Sequence, residues 1–79
     1  MVDLVAIRKA ARMTQVEVAA NLGVGQAQVS KVERQARAGD MFMSTLASYL
    51  AALGASAEIA VLVNGQTMRF DLTPGRGKR

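Results

Sequence analysis

The first two thirds of the chain has apolar residues at the three- and four-residue spacing of amphipathic helices. A first helix is predicted from about Asp3 to Arg12, because Leu4, Ile7 and Ala11 then share one face. The pattern changes once, near residue 57, where the spacing becomes strict alternation. The pattern therefore predicts short helices followed by a pair of strands.

A second helix is predicted to begin after Thr14 and to end at Leu22. Thr14 and Glu17 have the spacing of a capping box, in which each side chain bonds the backbone amide of the other residue. Gly23 follows the last apolar position and suits the left-handed conformation that ends many helices. Both ends of this helix are thus marked in the sequence.

Two further helices follow. The third is predicted over residues 26–35, with Gly25 as a tolerable N-cap. A linker over residues 36–43 then leads to a fourth helix, which Ser44 can cap and which ends at Gly54.

The alternating segment, residues 57–72, predicts a β-hairpin. Asn64 and Gly65 form the strongest short turn signal, since both tolerate the positive φ of a type I′ turn. An isolated hairpin is marginal in water, so one face is expected to be buried against the helices or against a second chain. The alternation assigns to that face Ala57, Ile59, Val61, Val63, Met68, Phe70 and Leu72.

The amino-acid composition limits the classes of function that the protein can have. The 79 residues include no Cys, His or Trp. No disulfide can therefore stabilise the small core, and the usual ligands of zinc, haem and iron–sulfur clusters are missing. The six carboxylates are scattered along the chain, so an enzyme is the poorest interpretation, and no cofactor is expected.

A core of this size favours oligomerisation, and we expect a homodimer built on Ile59, Val61, Val63, Met68 and Phe70.

The net charge of +4 favours an anionic partner such as nucleic acid. Arg76, Lys78 and Arg79 contribute three of these charges, so residues 1–75 carry only +1 (seven basic against six acidic residues). No apolar run is long enough to span a membrane and no signal peptide is visible, so a cytoplasmic location is expected. Residues 73–79 are expected to form a disordered basic tail, which serves as a DNA-backbone arm or only as a solubilising end.

Two short helices joined by a glycine turn form a helix-turn-helix unit. Ala19 is small where the third helix must cross the second. In the major groove, a Gln side chain can pair with adenine, a Lys side chain with guanine, and the methyl group of Ala can contact that of thymine. These residue types occur on the predicted outer face of the third helix, which holds Gln26, Ala27, Ser30, Lys31 and Arg34.

The chain resembles the phage-repressor and Cro type of helix-turn-helix protein, the XRE family. The resemblance covers residues 3–53 and is carried by residues 14–19 (TQVEVA), 22–24 (LGV) and 29–33 (VSKVE). It implies a mainly α fold, a four- to five-helix repressor-like domain followed by the hairpin. The domain boundaries are then 1–54 for DNA binding and 55–72 for dimerisation.

The resemblance also implies roles for individual residues. Three residues match base-reading positions: Gln26, Ala27 and Lys31. Four match contacts with the DNA backbone: Gln15, Gln28, Ser30 and Arg34. Arg8 and Glu33 match a structural ion pair between the first and third helices. Gly25 departs from the family, where Ser or Thr is common, and the small Ala27 implies modest discrimination.

A narrower group, the HigA-type antitoxins, resembles the second half of the chain. Residues 44–46 (STL) and 49–54 (YLAALG), followed by a hairpin with a Gly turn, carry this similarity. It implies a repressor of its own operon that neutralises a co-expressed toxin. A solitary regulator without a toxin is the alternative. The implied partners are an operator in double-stranded DNA, a second copy of the chain and the toxin.

Structural interpretations of the same residues stay open. The glutamines can be ordinary surface residues, and Lys31 and Arg34 can form a solvated basic face. Residues 41–43 (MFM) are expected to cover the core near the fourth helix; their alternative role is a patch that binds a partner.

Overall fold

The computed structural model describes residues 2–73 and shows four helices followed by an antiparallel hairpin. The predicted mainly α class is confirmed, with four helices in the described range. None of these helices is long and apolar enough to cross a membrane. The elements are α1 (Leu4–Ala10), α2 (Gln15–Leu22), α3 (Gln26–Ala38), α4 (Met43–Ala52), β1 (Glu58–Val63) and β2 (Gln66–Asp71).

The capping box at the start of α2 forms as predicted. The Glu17 amide donates to Thr14 Oγ1 at 3.1 Å, and the Thr14 amide donates to Glu17 Oε1 at 2.8 Å. The first helix, by contrast, ends at Ala10 rather than at Arg12. Arg12 has a left-handed φ of 60°, which breaks the helix two residues earlier than the apolar spacing indicated.

The prediction for the end of α3 was wrong by three residues. The helix continues to Ala38 and is ended by Gly39 in the left-handed conformation, φ 78°. Ala36 extends the buried row of the helix, so packing favours the extra turn. The linker is consequently only residues 39–42. Ser44 does not cap α4, since it lies inside the first turn, and the N-cap Phe42 provides no side-chain hydrogen bond.

The core lies between the four helices. Ala19 is only 5% exposed, and its small side chain lets α2 and α3 pack closely. Leu22 is half-buried and Val24 is 41% exposed, so the turn between α2 and α3 lies at the edge of the core. The buried apolar residues are Leu4, Val18, Ala19, Val29, Val32, Ala36, Tyr49 and Leu50.

The segment from 41 to 43 does not cover the core as expected. Met41 is half-buried and packs against it. Phe42 and Met43 are 80% and 57% exposed. The N-cap of α4 is Phe42, two residues earlier than the predicted Ser44, and this earlier start accompanies the outward orientation of Phe42 and Met43.

The hairpin forms with the predicted turn and register. Asn64 and Gly65 both have positive φ, 50° and 77°, as a type I′ turn requires. The register pairs Val63 with Gln66, Val61 with Met68 and Ile59 with Phe70.

Two partners were expected as alternatives to bury the apolar face of the hairpin, the helices or a second chain, and within the single chain the helices cover only its base. Every residue from 60 to 71 is exposed. Only the base is attached to the helices, where Ala57, Ile59 and Leu72 are half-buried. The Ala57 amide donates to Thr73 Oγ1 at 3.2 Å, and Thr73 is buried. Thr73 is thus part of the fold rather than of the predicted tail, whose residues 74–79 lie outside the described range.

Candidate nucleic-acid interface

The turn between α2 and α3 sets the angle of the outer helix. Gly23 adopts φ 74°, and the Val24 amide donates to the carbonyl oxygen of Ala19 at 3.0 Å. The chain then enters α3 at Gly25, whose extended conformation provides no side-chain cap. The Gln28 amide donates to the Gly25 carbonyl at 3.1 Å, and the Gln26 and Ala27 amides at the start of α3 are open to an acceptor from outside the helix.

A row of exposed side chains runs along the outer face of α3. Ala27, Lys31 and Arg34 lie at i, i+4 and i+7, so they share one stripe opposite the buried Val29 and Val32. Within residues 2–73, no other helix covers this stripe. Such a protruding helix has the dimensions that the major groove of DNA admits.

Gln26 and Gln15 meet at the amino-terminal end of this row. Gln26 Nε2 donates to Gln15 Oε1 at 3.1 Å, which joins the first residues of α3 and α2. Gln26 is exposed and Gln15 is half-buried. Sequence reasoning assigned the two residues to separate roles, whereas the structure joins them in one polar pair.

The remaining residues predicted to contact the DNA backbone flank the row on two sides. Arg34 Nη1 donates to Ser30 Oγ at 3.0 Å on the side that faces α1. Gln28 lies on the opposite side, where it lines a groove with Lys31, Phe42 and the first turn of α4. The row and its flanks together form one polar surface.

Arg8 and Glu33 form the ion pair that joins α1 to α3. Arg8 Nε lies 2.7 Å from Glu33 Oε2, and the two side chains are only 12% and 4% exposed. Arg8 Nη1 also donates to the carbonyl oxygen of Met13 at 3.0 Å. The hydrogen bond to Glu33 raises the pKa of Arg8 further.

Tyr49 is the residue that sequence reasoning missed. Its hydroxyl donates to Glu33 Oε2 at 2.6 Å, and the residue is 1% exposed. The available signal was a tyrosine at a core position of α4, since a buried hydroxyl needs a partner. The spacing along α4 could not say that the partner was a carboxylate on another helix.

The electrostatics of this cluster keep Glu33 charged. Burial by itself raises the pKa of Glu33, but hydrogen bonds from Tyr49, Arg8 and Gln15 and the Arg8 charge together hold it below its usual range. Burial is the largest cause of a raised pKa at Tyr49, and the hydrogen bond to Glu33 is the next largest. The tyrosine therefore stays a hydrogen-bond donor at neutral pH.

Residues 2–73 contain no group of three or more Asp or Glu side chains placed to hold a metal ion. Arg8 of α1 and Tyr49 of α4 both bond Glu33 on the inner side of α3, and these contacts hold α3 in place against the other helices.

The profile of the helix-turn-helix family matches residues 4–58. The chain is also similar to a solved structure, the "DNA bound antitoxin HigA3", with 37% identity and a TM-score of 0.76. That similarity covers 89% of this chain and 90% of the other. No curated protein matches the chain in sequence. These similarities point to a regulator rather than an enzyme. The chain belongs to the XRE-type helix-turn-helix family of DNA-binding proteins.

Proposed function

We propose that the protein is a sequence-specific repressor that inserts α3 into the major groove of an operator. The observation that carries this proposal is the exposed row of α3, which begins at the Gln26–Gln15 pair and which none of the other described elements covers. The solved structure to which the chain is similar is named as DNA-bound, which supports the same mode of binding.

Three residues are proposed to read bases. Gln26 offers an amide that matches the N6 and N7 positions of adenine. Lys31, one turn further along the row, donates to guanine, and the methyl group of Ala27 contacts that of thymine. All three are exposed in the structure.

Contacts with the phosphates place the helix in the groove. We assign these contacts to Gln15, Gln28 and Ser30, which border the row, and to Arg34 at its carboxyl-terminal end. The uncapped first turns of α3 and α4 add open backbone amides on the same surface.

Replacing Lys31 with alanine tests the base-reading assignment. The variant is expected to lose about 1–3 kcal/mol of binding free energy on the operator and much less on random DNA, because the lost contact is base-specific. Arg34→Ala is the matched control: it removes the same charge one turn away and should weaken both DNAs alike. Fluorescence anisotropy measures both affinities. Equal losses on operator and random DNA for Lys31→Ala would refute the assignment.

A homodimer is the second part of the proposal. Residues 55–72 are assigned to dimerisation, with the apolar face of the hairpin, formed by Ile59, Val61, Val63, Met68 and Phe70, against the same face of a second copy. The exposure of the last four, between 39% and 54%, supports an apolar partner surface. Two copies related by a two-fold axis would bind a pseudo-palindromic operator, with the two recognition helices about one turn of DNA apart.

We further propose that the protein is the antitoxin of a toxin–antitoxin pair and represses its own operon in the cytoplasm. The similarity to HigA3 over 89% of the chain supports this proposal, because it extends further than residues 4–58, which the helix-turn-helix profile matches. A solitary regulator of the same family is the alternative. A toxin-like reading frame beside the gene distinguishes the two.

The outer face of the hairpin is the proposed contact with the toxin. Leu62 is 75% exposed there, on the side opposite Val61. Leu62→Asp is expected to abolish neutralisation of the co-expressed toxin without unfolding the protein, because a charge at an exposed position costs the fold little. Growth rescue during co-expression measures neutralisation, and circular dichroism measures folding. Full rescue by the variant would move the contact to another surface.

A further inference from the structure

The carboxylate of Glu33 lies directly behind the DNA-facing surface. Its oxygen Oε2 accepts from Arg8 Nε at 2.7 Å and from the Tyr49 hydroxyl at 2.6 Å. Its other oxygen, Oε1, accepts from Gln15 Nε2 at 2.8 Å. A carboxylate has no hydrogen to give, so all three neighbours must donate to it.

This arrangement fixes which way the Gln15 amide points. Since Glu33 can only accept, the NH₂ group of Gln15 faces it, and the carbonyl oxygen Oε1 of Gln15 faces α3. Gln26 meets that oxygen and donates its own Nε2 to it at 3.1 Å. The buried carboxylate of Glu33 thus determines, through Gln15, which group of the exposed Gln26 amide acts as the donor to Gln15.

The orientation of Gln26 decides which base it matches. With one hydrogen of Nε2 bonded to Gln15, Gln26 keeps its Oε1 and the second hydrogen for DNA. An acceptor beside a donor in this order fits N6 and N7 of adenine. If both amides were reversed, the oxygen of Gln26 would face Gln15 and the order across the groove would be the opposite.

We propose that Glu33 determines base specificity without touching DNA, and that Tyr49 and Arg8 are positioning residues that hold its carboxylate. Through Gln15, Glu33 fixes the amide orientation in which Gln26 selects adenine. This inference rests on the proposed function.

Glu33→Gln is the direct test, because it preserves shape and changes one acceptor into a donor. Its oxygen can stay with Arg8 and Tyr49, so its NH₂ group faces Gln15 and reverses both amides. The binding of four operators that differ only at the base pair read by Gln26 is compared. The wild type is expected to prefer adenine by about 10- to 100-fold, and the variant by less than about twofold. Discrimination at the base pair read by Lys31 should persist.

Two controls separate this effect from general damage. Glu58→Gln removes the same charge from the exposed hairpin and should leave the preference for adenine unchanged. In a Gln26→Ala background, Glu33→Gln should cause no further change in base preference. A further change there would show that Glu33 does not act through Gln26 and would overturn the inference.

Tyr49→Phe provides a second route if Glu33→Gln does not fold. It keeps the buried ring and removes one of the two donors to Oε2. The preference for adenine should fall by about two- to tenfold, with affinity for random DNA unchanged. An unchanged preference would overturn the role of Tyr49. A wild-type protein that selects no DNA sequence contradicts the proposed function itself, whereas an operator-specific wild type with an unaffected Glu33→Gln variant contradicts only this inference.

Discussion

Replacing Arg8 with methionine is expected to lower the free energy of unfolding by about 3–5 kcal/mol. The substitution keeps an apolar stem of similar length but leaves the Glu33 carboxylate, whose side chain is 4% exposed, without its cation. An unpaired buried charge costs far more than an exposed ion pair contributes, which makes this one of the largest effects available in the chain. Urea denaturation followed by circular dichroism measures the loss.

The loss should depend on pH in a definite direction. In the wild type the pKa of Glu33 is below its ordinary value of 4.5, so its contribution to stability is complete above that pH and is lost as the pH falls through the lower, folded value. In Arg8→Met the hydrogen bond and charge of Arg8 no longer lower the pKa of Glu33. Burial, which raises this pKa, is then opposed by fewer groups, so the pKa of Glu33 rises. Protonation then relieves the buried charge, and the difference between the two proteins should shrink in acid.

Lys9→Met is the matched control, since it removes the same charge from the neighbouring, exposed position of α1. It should change the free energy of unfolding only slightly, with no pH-dependent difference from the wild type near pH 4 to 5. A loss as large as that of Arg8→Met would show that net charge, rather than the ion pair, is responsible.

Val61→Asp is expected to convert the proposed homodimer into monomers and to weaken operator binding by about a hundredfold or more. Linking two DNA-binding units raises avidity by about 10²–10⁴ when both half-sites are engaged. Val61 is 39% exposed in the single chain, so the substitution leaves the fold of each copy intact. It places two carboxylates in the apolar contact, where their desolvation opposes association. Analytical ultracentrifugation measures the mass, and anisotropy measures the affinity.

Leu62→Asp introduces the same charge one residue later, on the opposite face of β1. Although Leu62 is more exposed, this variant should stay dimeric and bind the operator normally. If both variants dissociate, the contact is not confined to one face. If neither does, a different surface forms the dimer.

Local signals along the chain predicted much of the fold. Thr14 and Glu17, three residues apart, were sufficient to place the start of α2, and Asn64–Gly65 fixed the register of the whole hairpin. The boundaries that failed depend on tertiary packing. The apolar spacing ended at Gln35, but burial of Ala36 against the other helices carries α3 to Gly39.

The candidate site was predictable only in part. The Arg8–Glu33 pair and the outer row of α3 follow from family resemblance and helical periodicity. The contribution of Tyr49 depends on a contact between residues 16 positions apart on different helices, which no local pattern contains. The uncovered hairpin face also follows from tertiary geometry, because alternation shows that a face needs covering but not what covers it.

The hairpin joins the helices only at its base, and this has a consequence for gene control. If repression needs two copies, operator occupancy rises with roughly the square of the chain's concentration at low abundance, and promoter output becomes a steep function of supply. At low abundance, where most chains are unpaired, the exposed strands from 60 to 71 are open to cellular proteases. Degradation would then remove isolated chains faster than paired ones, which makes promoter output depend still more steeply on the supply of the chain.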